Sequence, residues 1–285
     1  MTMGVAETIE IRQRVRLRRP EVLPAVAAMV LGLWGVTTPS FWRDESVSAL
    51  AAAMPLRDLW NLLGGIDRVH ALYYLLLRPI AAISTGELAM RLPSVVATAV
   101  AAYGIAFLGG KLATPRAGLL AGLFYAALPM VSRYAQEARS YAIVTAVAVL
   151  ATCVLIEAAQ RSSRRWYLGY AACLVLLGWF HAYALLLVIA HAVTVILWHR
   201  RDLAPSVSHR REIARFAGAL AVAGAGIVPL AFLTAGQRGA QLSWLTSPGL
   251  ADVSTFGQEI AGNPWVALPM VALMIFGAFA GGRLT

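Results

Sequence analysis

Residues 70–84 read HALYYLLLRPIAAIS, and whether this apolar stretch crosses a membrane decides the topology of the whole chain. A helix that spans a bilayer needs roughly 20 mostly apolar residues. This stretch is shorter, and the pair Arg78-Pro79 adds a charge and a helix breaker near its middle. We therefore predict an amphipathic helix that lies on the membrane surface and does not span it.

The composition of the whole chain requires a membrane. Of its 285 residues, 59% are hydrophobic and only 13% are charged, which is too apolar for a soluble domain of this length. The net charge of +10 comes from short basic clusters between apolar runs. Such clusters orient membrane helices against the cytoplasmic leaflet, so we predict the lipid bilayer as a partner and no nucleic acid.

Long apolar segments account for most of the remaining chain. Eight of them approach the length of a membrane span, and they cover residues 22–39, 91–109, 117–131, 141–159, 166–180, 182–198, 214–233 and 264–281. We predict an all-α membrane protein with about eight transmembrane helices. It forms a single domain over residues 1–285, with short interfacial helices in its first outer loop.

The distribution of arginine predicts the orientation in the membrane. Three basic loops cover residues 111–116, 161–165 and 199–215, and residues 1–21 form a basic N-terminus. If residues 70–84 crossed the membrane, the three loops would lie opposite to the N-terminus. Without that crossing all the basic segments lie inside, as is usual for membrane proteins. We therefore predict a multi-pass protein of the plasma membrane with a cytoplasmic N-terminus.

The same count of spans predicts which loops face outward. The two larger outer loops are residues 40–90 and 234–263. Two shorter outer stretches are residues 132–141, SRYAQEARSY, and a turn at residues 180–183, FHAY. Titratable side chains therefore gather on one face of the membrane, where we predict an extracytoplasmic active site.

Two adjacent acids, Asp44 and Glu45, follow the first apolar segment. A carboxylate there can act as a general base toward an acceptor hydroxyl, and two neighbouring carboxylates can instead bind a divalent cation. Alternatively they cap the helix that starts at Glu45, because Asp favours N-caps and acids complement the helix dipole. Both interpretations stay open, since one residue can do both.

The outer stretch 132–141 combines arginines and tyrosines around Glu137. Arg139 offers planar donors that suit phosphate oxygens, and Tyr134 and Tyr141 offer stacking faces for a sugar ring. The alternative is a polar helix end in which Glu137 pairs with a neighbouring arginine at the surface, where such a pair contributes little.

Three further residues are candidates for binding a substrate. Arg91 begins an apolar segment, so it is either an anchor at the membrane interface or a ligand of a phosphate there. His70 and His181 lie at predicted membrane boundaries, where each could donate to a phosphate or a sugar hydroxyl or ligate a metal. The alternative for both histidines is an interfacial polar residue.

Four short motifs together resemble those of a known family. They are Arg43-Asp44-Glu45-Ser46, residues 67–77 (DRVHALYYLLL), Arg91-Leu92-Pro93-Ser94 and residues 134–141 (YAQEARSY). Their order and spacing are similar to the polytopic membrane glycosyltransferases of the C-type fold. Within that fold they are most similar to glycosyltransferase family 39, with its protein mannosyltransferases, aminoarabinose transferases and actinobacterial mannosyltransferase-like members.

This resemblance implies a donor, a reaction and a catalytic residue. The donor is a sugar on a polyprenyl phosphate, mannose-like in the favoured case, and the acceptor is a glycan, lipid or protein of the cell envelope. Transfer inverts the anomeric centre on the extracytoplasmic face. Asp44 resembles the catalytic base, with Glu45 beside it, and Arg91 lies where relatives place an arginine near the lipid-linked phosphate. The candidate cofactor is the divalent cation that two neighbouring carboxylates can bind.

The resemblance extends to further candidate site residues. Glu137 and Arg139 match the second outer-loop motif. His70 matches the histidine that begins the interfacial segment, although Ala71-Leu72 stands where relatives commonly have two prolines. His181 marks about the end of the stretch that the resemblance covers.

Members of this family usually extend well beyond 285 residues, so we expect the chain to be a truncated or fragmentary member. A non-enzymatic alternative is a transporter or flippase for a lipid-linked precursor, or a scaffold of a cell-envelope complex. A flippase needs polar groups along a path through the bilayer, and His191 within a predicted span gives only thin support for one.

Overall fold

A computed structural model describes residues 19–200 and 207–237, together with the isolated positions 249, 265, 268, 269 and 272. All regular secondary structure in this described part of the chain is helical, which confirms the all-α class. The α-helices in chain order are α1 Val22–Leu33, α2 Arg43–Ala53, α3 Leu56–Gly65, α4 Ala71–Ala81, α5 Glu87–Leu112, α6 Pro115–Ala127, α7 Pro129–Ala135, α8 Tyr141–Arg161, α9 Arg164–Phe180, α10 Leu187–Arg200 and α11 Val207–Thr234. Single 3-10 turns lie at Arg68–His70, Ala182–Leu186 and Ala235–Gln237.

Three helical segments of the described chain are long and apolar enough to cross a membrane. They are Glu87–Leu112, Tyr141–Arg161 and Arg210–Gln237. The prediction of about eight transmembrane helices is therefore not confirmed. Helix α1 has only 12 residues, and the predicted span 117–131 is divided because Pro129 begins a new helix. The predicted span 264–281 lies almost entirely outside the described residues.

Helices α5 and α6 pack backbone against backbone. A Cβ atom added at Gly118 would lie 2.2 Å from the carbonyl oxygen of Ala106, and one added at Gly109 would lie 2.7 Å from the Cα of Gly118. Small residues at such a crossing let two helices approach closely, as is typical of helix pairs in membranes. This contact holds the α5–α6 turn in one fixed geometry.

Side-chain contacts define two ends of the helical bundle. At one end, called the basic end, Lys111 of α5 pairs with Glu157 of α8, and Tyr167 of α9 donates to Glu212 of α11. At the other end, called the site end, α5 and α8 begin while α9 and α11 finish. There the Ser140 hydroxyl donates to the carbonyl of Phe180 at 3.3 Å.

Helix α4 begins and ends at the site end. Its 11 residues extend over about 16 Å at the rise of an α-helix, which is roughly half the hydrocarbon thickness of a bilayer. His70 before it contacts Arg139, and Arg78 donates to the carbonyl of Met54 at 2.6 Å. The first turns of α5 then bond to α2 through Arg91. Residues 70–84 therefore stay at the site end of the bundle, and their position on a membrane surface stays a prediction.

Apolar packing holds α4 in this position. Tyr73, Tyr74 and Leu77 are buried in one apolar cluster with residues of α2 and α3. The predicted break at residues 180–183 is also present, because α9 ends at Phe180 and the extended backbone of His181 leads into a 3-10 turn. His181 is thereby presented at the site end.

Candidate functional site

Glu45 and Arg91 form a buried ion pair at the site end. The Nε of Arg91 lies 2.8 Å from Glu45 Oε1, and its Nη2 lies 2.7 Å from Oε2. Their side chains are only 2% and 1% exposed. The other N–H groups of Arg91 donate to the carbonyls of Val36, Pro39 and Ser40. All five N–H bonds of the guanidinium are thus directed at described partners.

Glu45 also holds the second outer loop in place. Its Oε1 accepts the N–H of Ala138 at 2.7 Å, and its Oε2 accepts the N–H of Trp42, which caps α2. This carboxylate therefore joins the start of α2, the first turns of α5 and the loop before α8. A phosphate would have to displace one of these bonds to reach Arg91, so the geometry favours a positioning role for both residues over phosphate binding or catalysis.

Asp44 has the opposite environment, although it is the neighbour of Glu45 in the chain. Successive residues on a helix point about 100° apart, and this turn brings the Asp44 side chain to a surface where it is 39% exposed. Its Oδ2 lies 3.7 Å from Nη2 of Arg139. The two adjacent acids are therefore separated into one accessible carboxylate and one buried carboxylate.

Arg139 joins Asp44 to His70. The arginine is 8% exposed, and its Nη2 lies 3.1 Å from Nε2 of His70. Because a guanidinium can only donate, His70 accepts at Nε2 and carries its proton on Nδ1. Burial, helped by the positive charge of Arg139, lowers the pKa of His70 to about 4. His70 is thus a neutral acceptor at physiological pH.

An aromatic wall extends from this cluster. The rings of Tyr134 and Tyr141 lie 5.0 Å apart, and Tyr141 lies 5.9 Å from His181. Tyr183 follows, 5.9 Å from His181, and is 71% exposed. Burial and the charge of Arg139 lower the pKa of His181. The wall presents a row of aromatic ring faces at the site end.

Glu137 is a further predicted site residue whose side chain is buried. It is 7% exposed, and burial together with the negative charge of Glu45 raises the pKa of its carboxyl. Its backbone carbonyl accepts the hydroxyl of Ser94 at 2.7 Å. This bond to α5 fixes the turn that carries Arg139.

Three residues near the site were not among the predicted site residues. Tyr74 donates to Oδ2 of Asp67 at 3.2 Å and lies 6.1 Å from the ring of His70. Asp67 has a positive φ of 57°, and Tyr183 ends the aromatic wall. The first two belong to the motif DRVHALYYLLL, which could have indicated them, and Tyr183 belongs to the predicted turn.

Among the residues that the structure describes, His, Cys, Asp and Glu side chains do not form a group of three or more that could hold a metal ion.

The family of the chain follows from a comparison with family models. Residues 70–225 match the model of the dolichyl-phosphate-mannose-protein mannosyltransferase family, which is more than half of the chain. The chain belongs to this family. Membership confirms the predicted resemblance and indicates a membrane glycosyltransferase of the mannosyltransferase type. It also implies a donor sugar on a polyprenyl-phosphate carrier.

The match includes most of the candidate site. It covers His70, Arg139, Tyr141 and His181 and begins after Asp44. Comparisons with curated proteins and with solved structures found no match.

Proposed function

We propose that the chain transfers a sugar, mannose in the favoured case, from a polyprenyl phosphate to a hydroxyl of a cell-envelope glycan, lipid or protein. The reaction takes place on the extracytoplasmic face, inverts the anomeric centre and uses Asp44 as the general base. Membership of the mannosyltransferase family supports the reaction type.

The observation that carries the proposal is the contact of Asp44 with Arg139. An accessible carboxylate lies 3.7 Å from a nearly buried guanidinium, and this supports a base next to a cation that can bind the phosphate. Glu45 cannot take the same role without breaking its bonds to Arg91 and Ala138. Asp44 is therefore the acid of this pair that can reach a substrate.

The proposed reaction is a single nucleophilic displacement, in which the acceptor hydroxyl replaces the polyprenyl phosphate on the anomeric carbon. Asp44 takes the proton of the acceptor hydroxyl while that oxygen attacks the anomeric carbon and forms the new glycosidic bond. The bond from the anomeric carbon to the phosphate oxygen breaks, and the polyprenyl phosphate leaves with the electron pair. Arg139 stabilises the charge that develops on the leaving phosphate. Attack opposite to the leaving group inverts the anomeric centre.

The remaining site residues position these groups. The rings of Tyr134, Tyr141 and His181 hold the sugar, and His70 orients Arg139 through its neutral ring. Glu45 and Arg91 hold the loop that carries Arg139 and contact no reacting atom. This assignment replaces the sequence-based role of Arg91 as a phosphate ligand with a positioning role.

Orientation in the membrane is part of the proposal. The arginines of the basic end favour the cytoplasmic side, and this supports an extracytoplasmic site end in one domain formed by residues 1–285. The loops at residues 40–90 and 234–263 then face outward, and a divalent cation remains a candidate cofactor for the phosphate.

The test is transfer by purified protein from labelled polyprenyl-phosphate mannose to a cell-envelope extract. The variant Asp44→Asn should reduce transfer by about 10²- to 10⁴-fold, the usual contribution of a general base. A matched control is Asp58→Asn, which removes an exposed acid of α3 and should leave the rate unchanged. Release of polyprenyl phosphate is measured in parallel, because it reports donor cleavage whichever acceptor is used.

Two results would overturn parts of this proposal. Full activity in folded Asp44→Asn protein would exclude Asp44 as the base. The same assay is run separately with the arabinose analogue of the donor, and transfer from neither donor would favour the non-enzymatic alternative, a transporter or flippase for a lipid-linked precursor or a scaffold.

A further inference from the structure

A pocket lies between α9 and α11 at the basic end, far from the proposed active site. Its volume is about 530 Å³. The residues that line it are Arg164, Tyr167, Leu168, Arg211, Ala214, Arg215, Gly218, Ala219 and Val222. The pocket thus combines three arginines with an apolar remainder, and its lining contains no acid among the residues that the structure describes.

The three arginines differ in whether an acidic side chain compensates their charge. Arg215 is engaged, because its Nη1 donates to the carbonyl of Ser162 at 2.5 Å and to Glu212 Oε1 at 2.6 Å. Arg164 and Arg211 take part in none of the ion pairs within the described part of the chain. An anion that entered the pocket would therefore meet two uncompensated guanidinium groups.

The apolar part of the pocket continues along α11 into the membrane-spanning segment. Arg211, Arg215, Gly218 and Val222 follow one another at helical spacing, so they form one stripe. The stripe is about 16 Å long at 1.5 Å per residue. A Cβ atom added at Gly218 would meet nothing within 4 Å, so the groove beside this glycine is open.

We propose that this pocket binds an anionic membrane lipid. The phosphate of the headgroup lies between Arg164 and Arg211, and an acyl chain follows the stripe over Gly218 toward Val222. Guanidinium groups suit phosphate oxygens, and basic pockets between membrane helices on the cytoplasmic side are suited to lipid headgroups. A soluble phosphate would use the arginines alone and leave the apolar stripe exposed, so the two halves of the pocket together favour a lipid.

The first test changes the charge. The full chain in a neutral detergent is given equal amounts of phosphatidylglycerol and phosphatidylcholine, and bound lipid is counted by native mass spectrometry. We expect a preference for phosphatidylglycerol that falls about thirtyfold in Arg164→Gln/Arg211→Gln, the loss expected for two arginines near an anionic surface. The control Arg165→Gln/Arg210→Gln removes the same charge from neighbouring residues that do not line the pocket and should keep the preference.

The second test fills the groove without changing charge. Gly218→Leu should weaken phosphatidylglycerol binding, because the new side chain occupies the path of the acyl chain. Gly224→Leu is its control, since Gly224 lies on the same helix with nothing within 4 Å and outside the pocket lining. Thermal melting and size-exclusion chromatography verify that each variant is folded.

A third arm separates a lipid from a soluble anion. Glycerol phosphate, which carries the headgroup chemistry without acyl chains, should not displace bound phosphatidylglycerol at comparable concentration. The proposal is overturned if glycerol phosphate displaces the lipid, if the Arg164/Arg211 variant keeps the preference, or if folded Gly218→Leu binds as well as Gly224→Leu. The test does not depend on glycosyl transfer, so its outcome is independent of the proposed function.

Discussion

The two ends of the bundle hold their charges in different ways. At the site end, Glu45 and Arg91 are buried and fully bonded. At the basic end, Arg161 pairs with Glu157 at 2.6 Å while remaining 63% exposed. A buried pair cannot exchange its partners for water, whereas an exposed pair can. The buried pair of Glu45 with Arg91 therefore fixes the structure at the site end. The pair of Glu157 with Arg161 at the basic end remains in contact with solvent through its arginine.

At the basic end, close packing of two helix backbones also stabilises the structure. There the backbones of α5 and α6 touch at Gly118, and this close packing adds to the ion pairs of Lys111 with Glu157 and of Arg215 with Glu212. Arg164 and Arg211 at this end take part in none of the ion pairs of the described residues, so they are available to meet anionic groups. The site end uses its buried charge to position Arg139, and with it the accessible Asp44.

Breaking the buried pair should have the largest effect. Arg91→Met removes the guanidinium and leaves the Glu45 carboxylate buried without its charge partner, which typically costs about 3–5 kcal/mol. The surface counterpart Arg161→Ala should cost no more than about 1 kcal/mol. Thermal unfolding in detergent, read from tryptophan fluorescence, measures both. Equal losses in the two variants would show that the site end is not held by this pair.

Crowding the backbone contact at the basic end should have the next largest effect. In Gly118→Ala the new methyl group would lie 2.2 Å from the Ala106 carbonyl oxygen, and such overpacking costs about 1–3 kcal/mol. Gly224→Ala adds the same methyl group in open space and should be neutral or stabilising by up to about 1 kcal/mol. The same unfolding assay compares the two alanines, and a Gly118→Ala protein as stable as the control would contradict the close packing of α5 and α6.

The differences between the ends also show what could be predicted from sequence. Hydropathy predicted the helical class, because that class depends on local composition, and the interfacial position of residues 70–84 stays a prediction. The roles of Asp44 and Glu45 could not be separated, since their difference arises from the register of α2 against α5. The sequence suggested that Arg91 binds a phosphate, because it could not show the bonds of Arg91 to backbone carbonyls. Every residue type has a backbone carbonyl, so residue identity does not indicate such partners.

The same reasoning explains the overestimate of membrane spans. Apolar length was used to count eight segments, yet Pro129 divides one of them and α1 is short. The pocket at the basic end was not predicted either. Its lining comes from two helices that are distant in sequence, and only packing brings Arg164 beside Arg211.

The smallest expected effect concerns the pH dependence of the site end. The pKa of His70 is lowered from 6.5 to about 4 by burial, then by Arg139 and His181, with Asp44 acting in the opposite direction. Between those pH values the unfolded chain binds a proton that the folded chain does not, so stability falls as pH falls from about 6.5 to 4. We expect this contribution to be no more than about 2 kcal/mol, because His70 is not fully buried.

His70→Gln isolates this contribution. Glutamine keeps an acceptor for Arg139 but has no proton to gain, so its melting temperature should decline less than that of the wild type as pH falls from 6.5 to 4. Glu137 acts in the opposite sense, since its raised pKa favours the folded chain at low pH, and it is present in both proteins. The difference between the two pH curves therefore reports His70 alone. Parallel curves would mean that His70 accepts its proton equally well in the folded and unfolded chain, and that Arg139 is not held by a neutral imidazole.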